Sequence, residues 1–164
     1  MPEFNNLIDQ IFEREGGATE TNDPADAGGR TAWGVSERSN PEAWADGKVT
    51  EDEARQIYLK KYVFFPKFDR IPESHAKLQE QLIDFGVNSG PQLAIMKLQR
   101  LLGLKEDGVL GPITLAAITA ADPRELNNQL VAARVTMLTK VVQKSPGQLK
   151  WLGGWVQRSL DFLV

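Results

Sequence analysis

The sequence predicts a mainly α-helical fold, a bundle of helices with one small β-hairpin and loop region that carries the chemistry. Three observations carry this reading. Apolar residues recur at three- and four-residue steps through most of the chain. Helix starts are marked by caps and first-turn prolines. Strand character is confined to residues 30–35 and, more weakly, to Lys48-Val49. With 164 residues, 41% of them hydrophobic and 25% charged, the chain can bury a real core and reads as globular.

Each element has a local cause. Phe4, Leu7, Ile8, Ile11 and Phe12 form one face of a first helix, with Asn5, Asn6, Asp9, Gln10 and Glu13 opposite. Thr50-Glu51-Asp52-Glu53 has the spacing of a capping box and opens a helix through Ala54, Ile57, Tyr58 and Tyr62. Further helices are expected over 73–87, 91–102 and 112–120; prolines in the first turn suit the last two, and Gly103 closes the 91–102 helix. Asp122-Pro123-Arg124-Glu125 supplies an N-cap, a first-turn proline and a reciprocal glutamate. The long helix that follows carries Leu126, Leu130, Ala133, Met137 and Val141 on one row, with Val131, Val135, Leu138 and Val142 beside it, a stripe wide enough for a buried helix. Ser145-Pro146-Gly147 breaks it before a last amphipathic segment.

Two scarcities exclude much chemistry. There is no cysteine and a single histidine, His75. Disulfide scaffolds, thiol nucleophiles and Cys-rich zinc sites are thereby ruled out, and zinc hydrolysis by several imidazoles is nearly so. A Ser-His-Asp arrangement would need His75, which reads as a solvent-exposed helix-start residue. Carboxylate chemistry remains, and no cofactor is expected. Residues 1–90 carry a net charge of −7 and residues 91–164 a net +4, giving −3 in all. Nucleic acid is an unsuitable partner for so acidic a front half. No run approaches the roughly 18 apolar residues of a membrane span, and the first residues lack the pattern of a signal peptide. Synthesis in a cytoplasm, with no stable membrane insertion, is the resulting expectation.

The segment from Glu13 onward, EREGGATETNDPADAGGRTAWG, is far richer in Gly, Asp, Asn and Thr than packing requires. Glu15 continues the apolar stripe of the first helix and stands last before Gly16-Gly17, a pair that ends helices. Partial burial and the electronegative end of a helix both disfavour the carboxylate form, and a protonated carboxylic acid is what general acid catalysis requires. The competing reading is a frayed, solvated helix end. Asn22, Asp23, Asp26 and Thr31 add a second carboxylate and a hydroxyl within sixteen residues, while Gly28, Gly29 and Gly34 permit close backbone approach. Two carboxyl groups flanking one bond are the minimal apparatus for glycosidic cleavage. Such loops also fold as plain turns, which remains the alternative for Asn22 and Asp23.

The block Glu15-Gly16-Gly17 with Asn22-Asp23-Pro24-Ala25-Asp26-Ala27-Gly28-Gly29-Arg30-Thr31-Ala32-Trp33-Gly34 resembles the signature of glycoside hydrolase family 108, the N-acetylmuramidases found among phage endolysins and related bacterial proteins. Asp84-Phe85-Gly86-Val87-Asn88-Ser89-Gly90 is similar to that family's mid-chain motif. Leu98-Gln99, Asp107-Gly108, Gly111-Pro112 and Thr114 resemble the accompanying peptidoglycan-binding-like region, and Trp151, Trp155 and Arg158 its closing segment.

That resemblance implies a lysozyme-like, mainly helical (α+β) fold and cleavage of the bond between N-acetylmuramic acid and N-acetylglucosamine in peptidoglycan glycan strands. It implies a catalytic region over 1–90 and a wall-binding helical region over 91–164, packed as one domain and acting as a monomer in the periplasm or wall after holin-type or other release. Glu15 matches the catalytic acid. Asp26 and Thr31 follow in the Glu, Asp, Thr order of T-even phage lysozymes at different steps; Asp26 would stabilise oxocarbenium character or, with Thr31, orient a water. Among substrate-binding candidates, Trp33 stacks on a sugar or packs in the core, Asn88 bonds an acetamido group or caps a helix, and Tyr58 belongs to an aromatic set with Tyr62, Phe64, Phe65 and Phe68 read chiefly as packing. Asp107-Gly108 is read as a turn. Lys140, Lys144, Lys150 and Arg158 with Trp151 and Trp155 would touch a lipid surface, or the two tryptophans seal the lobe. A lytic transglycosylase on the same bond and a non-catalytic wall-binding module are the alternative functions.

Overall fold

The computed structural model describes residues 4–22 and 29–164. Over these residues the chain is mainly helical with a two-stranded antiparallel sheet, the lysozyme-like class expected. It forms two compact units, Met1–Lys61 and Tyr62–Val164.

The first unit holds α1 (Asn5–Arg14), β1 (Thr31–Ala32), β2 (Val35–Ser36), a 3-10 turn at Pro41–Trp44 and α2 (Glu51–Leu59). The periodic face of α1 is buried as its spacing predicts, through Leu7, Ile8, Ile11 and Phe12. The helix stops at the glycine pair, where the Gly17 N–H donates to the Phe12 carbonyl at 2.8 Å, the six-residue closure of a Schellman turn. At the start of α2 the capping box is complete: Thr50 Oγ1 accepts from the Glu53 N–H and the Glu53 carboxylate accepts from the Thr50 N–H at 2.8 Å. Arg55 ties the two helices by donating to Asp9 at 2.6 Å and Glu51 at 2.7 Å while its guanidinium lies over the Phe12 ring. Lys48-Val49 is not a strand. Val49 is buried as the chain runs into the cap.

The second unit holds α3 (Ala76–Ser89), α4 (Pro91–Leu101), α5 (Pro112–Ala120), α6 (Pro123–Lys144) and α7 (Leu149–Leu160). Helix α3 packs on α4 and α6, and α6 on α7. The segment expected to be helical from residue 73 starts with a 3-10 turn, Glu73–His75, before α3 takes over. That turn rotates His75 inward, so the exposed position expected for it is corrected. Its side chain is 2% exposed, with Nε2 3.3 Å from the Ala121 carbonyl and Nδ1 3.0 Å from Ser74 Oγ.

On α6, Leu126 and Leu130 are buried as expected, but the buried row continues through Val131, Leu138 and Val142 and takes in Asn127 and Arg134. Met137 is half-buried and Val141 exposed, because polar residues occupy part of the inward face. The aromatic set also divides. Tyr58 and Phe68 are buried in separate units, whereas Phe65 is 83% exposed. Trp151 is 55% exposed on α7.

Gln99 explains why Leu-Gln, Asp-Gly and Gly-Pro-x-Thr occur together. Its Nε2 donates to Asp107 Oδ1 at 2.8 Å, to the Val109 carbonyl at 3.1 Å and to Thr114 Oγ1 at 3.2 Å, while its Oε1 accepts from the Gly108 N–H at 2.9 Å. One side chain thus holds the 107–109 turn against the start of α5. Gly108 is required there, since a Cβ would overlap the Gln92 side chain.

Candidate active site

The first unit gathers four of the residues singled out in the sequence. Glu15 is the C-cap of α1, its N–H donating to the Ile11 carbonyl at 2.9 Å. β1 and β2 pair Thr31 with Ser36 and Ala32 with Val35, leaving Trp33 and Gly34 as a two-residue turn. Both turn residues have positive φ, 54° and 72°, the signature of the type I′ hairpin turn. For a tryptophan this backbone is strained by about 1–3 kcal/mol, a cost that such sites retain when the turn must sit in one place.

That place is against the end of α1. The Trp33 N–H donates to the Gly17 carbonyl at 3.0 Å, and the Phe12 ring meets Trp33 at a centroid distance of 5.3 Å and the Tyr58 ring edge-on at 5.1 Å. A Cβ on Gly34 would overlap the Tyr58 hydroxyl and lie 3.6 Å from the Cβ of Glu15. Glu15, Gly34 and the Tyr58 hydroxyl therefore share one spot, organised around Phe12. The roles of Phe12 and Gly34 are not readable from composition; the signal that points to them is the Trp-Gly pair between two short strand segments.

Burial is where the expectation for Glu15 fails. Its side chain is exposed, because it lies past the last residue of α1, where the 3.6-residue period no longer fixes direction. Thr31 is half-buried and makes a backbone bridge to Thr21, 2.8 Å in both directions. Asp26, with Asp23 and Gly28, lies outside the described residues. Tyr58 is buried with its hydroxyl at Gly34, and Trp33 is half-buried on Phe12. Asn88 belongs to the second unit, exposed near the end of α3.

The hairpin has its own brace. Arg30 donates to both Glu37 carboxylate oxygens at 3.1 and 2.9 Å and to the Gly47 carbonyl at 3.0 Å, with its guanidinium over the Trp44 ring. The pairing holds the Glu37 carboxyl below its ordinary pKa, chiefly through the hydrogen bonds from Arg30. Among the described residues no group of three His, Cys, Asp or Glu side chains is placed to hold a metal ion, and no helix is long and apolar enough to cross a membrane.

The comparisons with known proteins give the class, that of the glycoside hydrolases. The family model "Glycosyl hydrolase 108" matches residues 8–90, and the chain belongs to that family. A second model, "Predicted Peptidoglycan domain", matches residues 93–160. Among solved structures the chain is similar to SagA of Brucella abortus, at 28% identity over 97% of this chain and 94% of that one, with a TM-score of 0.65. No curated protein matches. The chain is a glycoside hydrolase acting on peptidoglycan.

Proposed function

We propose that the chain is an endolysin-type muramidase that hydrolyses the β-1,4 bond between N-acetylmuramic acid and N-acetylglucosamine, with Glu15 as the general acid. The observation that carries this reading is the placement of Glu15, at the open end of α1 beside Gly34 and the Tyr58 hydroxyl, inside the span matched by the hydrolase family. Glu15 gives its proton to the leaving glycosidic oxygen as the sugar gains oxocarbenium character. Asp26 stabilises that charge or, with Thr31, orients the attacking water. Trp33 offers an aromatic face to a ring of the glycan, and Tyr58 positions the turn. In this reading residues 1–90 cleave and residues 91–164 hold the wall.

The test is a Glu15→Gln protein on purified sacculi, with wild type beside it. The variant keeps binding the sacculi and clears turbidity at least about 100-fold more slowly. Undiminished clearing removes Glu15 from the mechanism. Mass spectrometry of the fragments released by wild type then names the reaction: a reducing N-acetylmuramic acid end is expected, and a 1,6-anhydro ring replaces hydrolysis by transglycosylation.

A further inference from the structure

Within the second unit, the end of α3, α4, α6, α7 and the turn before α7 enclose a groove of about 510 Å³. Leu93, Met137, Val141 and Trp155 give it apolar walls, and Asn88 and Lys97 bring polar groups to it. Three properties distinguish it from leftover packing space. The apolar stripe of α6 is wider than the core uses, and its surplus, half-buried Met137 and exposed Val141, faces this groove. Lys97 forms no ion pair among the described residues, so its ammonium is available to a ligand at this groove. Seven of the nine lining residues fall inside the span matched by the peptidoglycan domain.

We propose that this groove binds a muropeptide, the disaccharide of the wall together with its stem peptide, as a wall-anchoring subsite separate from the bond cleaved. The proposal rests on reading the chain as acting on peptidoglycan. The chemistry is complementary part by part. The indole of Trp155 suits the apolar face of a pyranose ring, as aromatic platforms do. Leu93, Met137 and Val141 suit the methyl groups of the lactyl ether, the acetamido groups and the alanines of the stem. Asn88 can donate to an acetamido carbonyl, and Lys97 meets a stem-peptide carboxylate. A glycan without peptide fills only part of this set, so the groove selects decorated strands and keeps the enzyme on intact wall.

The experiment uses the full-length Glu15→Gln protein, titrated with soluble disaccharide-tetrapeptide and, separately, with chito-oligosaccharide, while the Trp155 indole N–H signal is followed by NMR and assigned through Trp155→Phe. The muropeptide is expected to move that signal saturably, and the chito-oligosaccharide, which meets Trp155 but not Lys97, to move it only at concentrations about fivefold or more higher. Lys97→Met, which keeps the unbranched stem of this half-buried side chain and removes its charge, is expected to weaken muropeptide binding about fivefold. A stationary Trp155 signal, or an unchanged dissociation constant in Lys97→Met, overturns the proposal. So does a signal that moves with protein concentration alone, which assigns the groove to a second copy, or equally with anionic vesicles, which assigns it to lipid. Turbidity clearing by wild type against Glu15→Gln reports separately on catalysis, so either reading can fall while the other stands.

Discussion

Asp84 and Arg134 lie fifty residues apart in the chain and 2.7 Å apart in space, both shut off from solvent. Arg158, seventy-four residues from Asp84, donates to the same carboxylate from Nε at 2.9 and 3.1 Å. One acid thus pins α3 to α6 and α7, and Arg134 is further held over the rings of Phe85 and Phe162. This joins the mid-chain motif to the closing segment.

Asp84→Ala leaves the Arg134 guanidinium buried without its carboxylate, and the expected loss is about 3–5 kcal/mol of stability. Urea unfolding of the full chain measures it. Asp84→Leu combined with Arg134→Met should recover only part of that loss, because the Arg158 guanidinium still loses its carboxylate partner. A small loss in the single variant would show that the network is not what fixes α3 to α6.

Gly34→Ala places a methyl group on the Tyr58 hydroxyl and a side chain at φ 72°, so a loss of about 1–3 kcal/mol is expected, with reduced clearing of sacculi. Adding Tyr58→Phe removes the clashing oxygen and should restore part of both, leaving the backbone strain. If the double variant is no better than Gly34→Ala, the clash is not the cause.

Gln99→Leu has nearly the right volume and none of the hydrogen bonds that hold the 107–109 turn. We expect a loss of about 2 kcal/mol, read from the thermal midpoint. Amide exchange should accelerate first at Gly108, whose N–H donates to Gln99 Oε1, and exchange confined to other regions would contradict the role given to Gln99.

Among the described residues three carboxyls are held below their ordinary pKa: Glu37 by hydrogen bonds from Arg30, Glu53 by the side chain and N–H of Thr50, and Asp107 by Gln99 and the Val109 N–H. The unfolded chain therefore takes up protons at a higher pH than the folded one. Stability from these groups is complete at neutral pH and falls as acid enters the carboxylate range, from about pH 4 downward. The midpoint of unfolding followed against pH checks this, and Asp107→Asn should flatten the acid limb. Added salt should weaken the Arg30–Glu37 share most, since both side chains are partly exposed.

Much of the architecture was legible in the order of residues because its causes are local. The face of α1, the Thr50 box, the prolines opening α4 and α5 and the Asp122 cap each depend on groups within four positions of one another. The hairpin at Thr31 is legible for the same reason. Glu15 was legible as a motif but not as an environment, since its exposure depends on where α1 stops. The burial of His75 is not legible, because a lone histidine carries no periodic information about the side it faces.

By itself, then, the sequence determined the helical class, most helix boundaries and the carboxyl-bearing block that marks the family. Tertiary structure alone decided that the Trp33-Gly34 turn meets Glu15 and Tyr58 over Phe12, that Asp84 is shared by two arginines, and that the surplus apolar row of α6 faces a groove. The reason is physical. Helix and turn preferences are settled by neighbours along the chain, whereas the partner of a buried charge or a glycine's missing Cβ is settled by atoms from segments tens of residues away, whose positions exist only once the chain has folded.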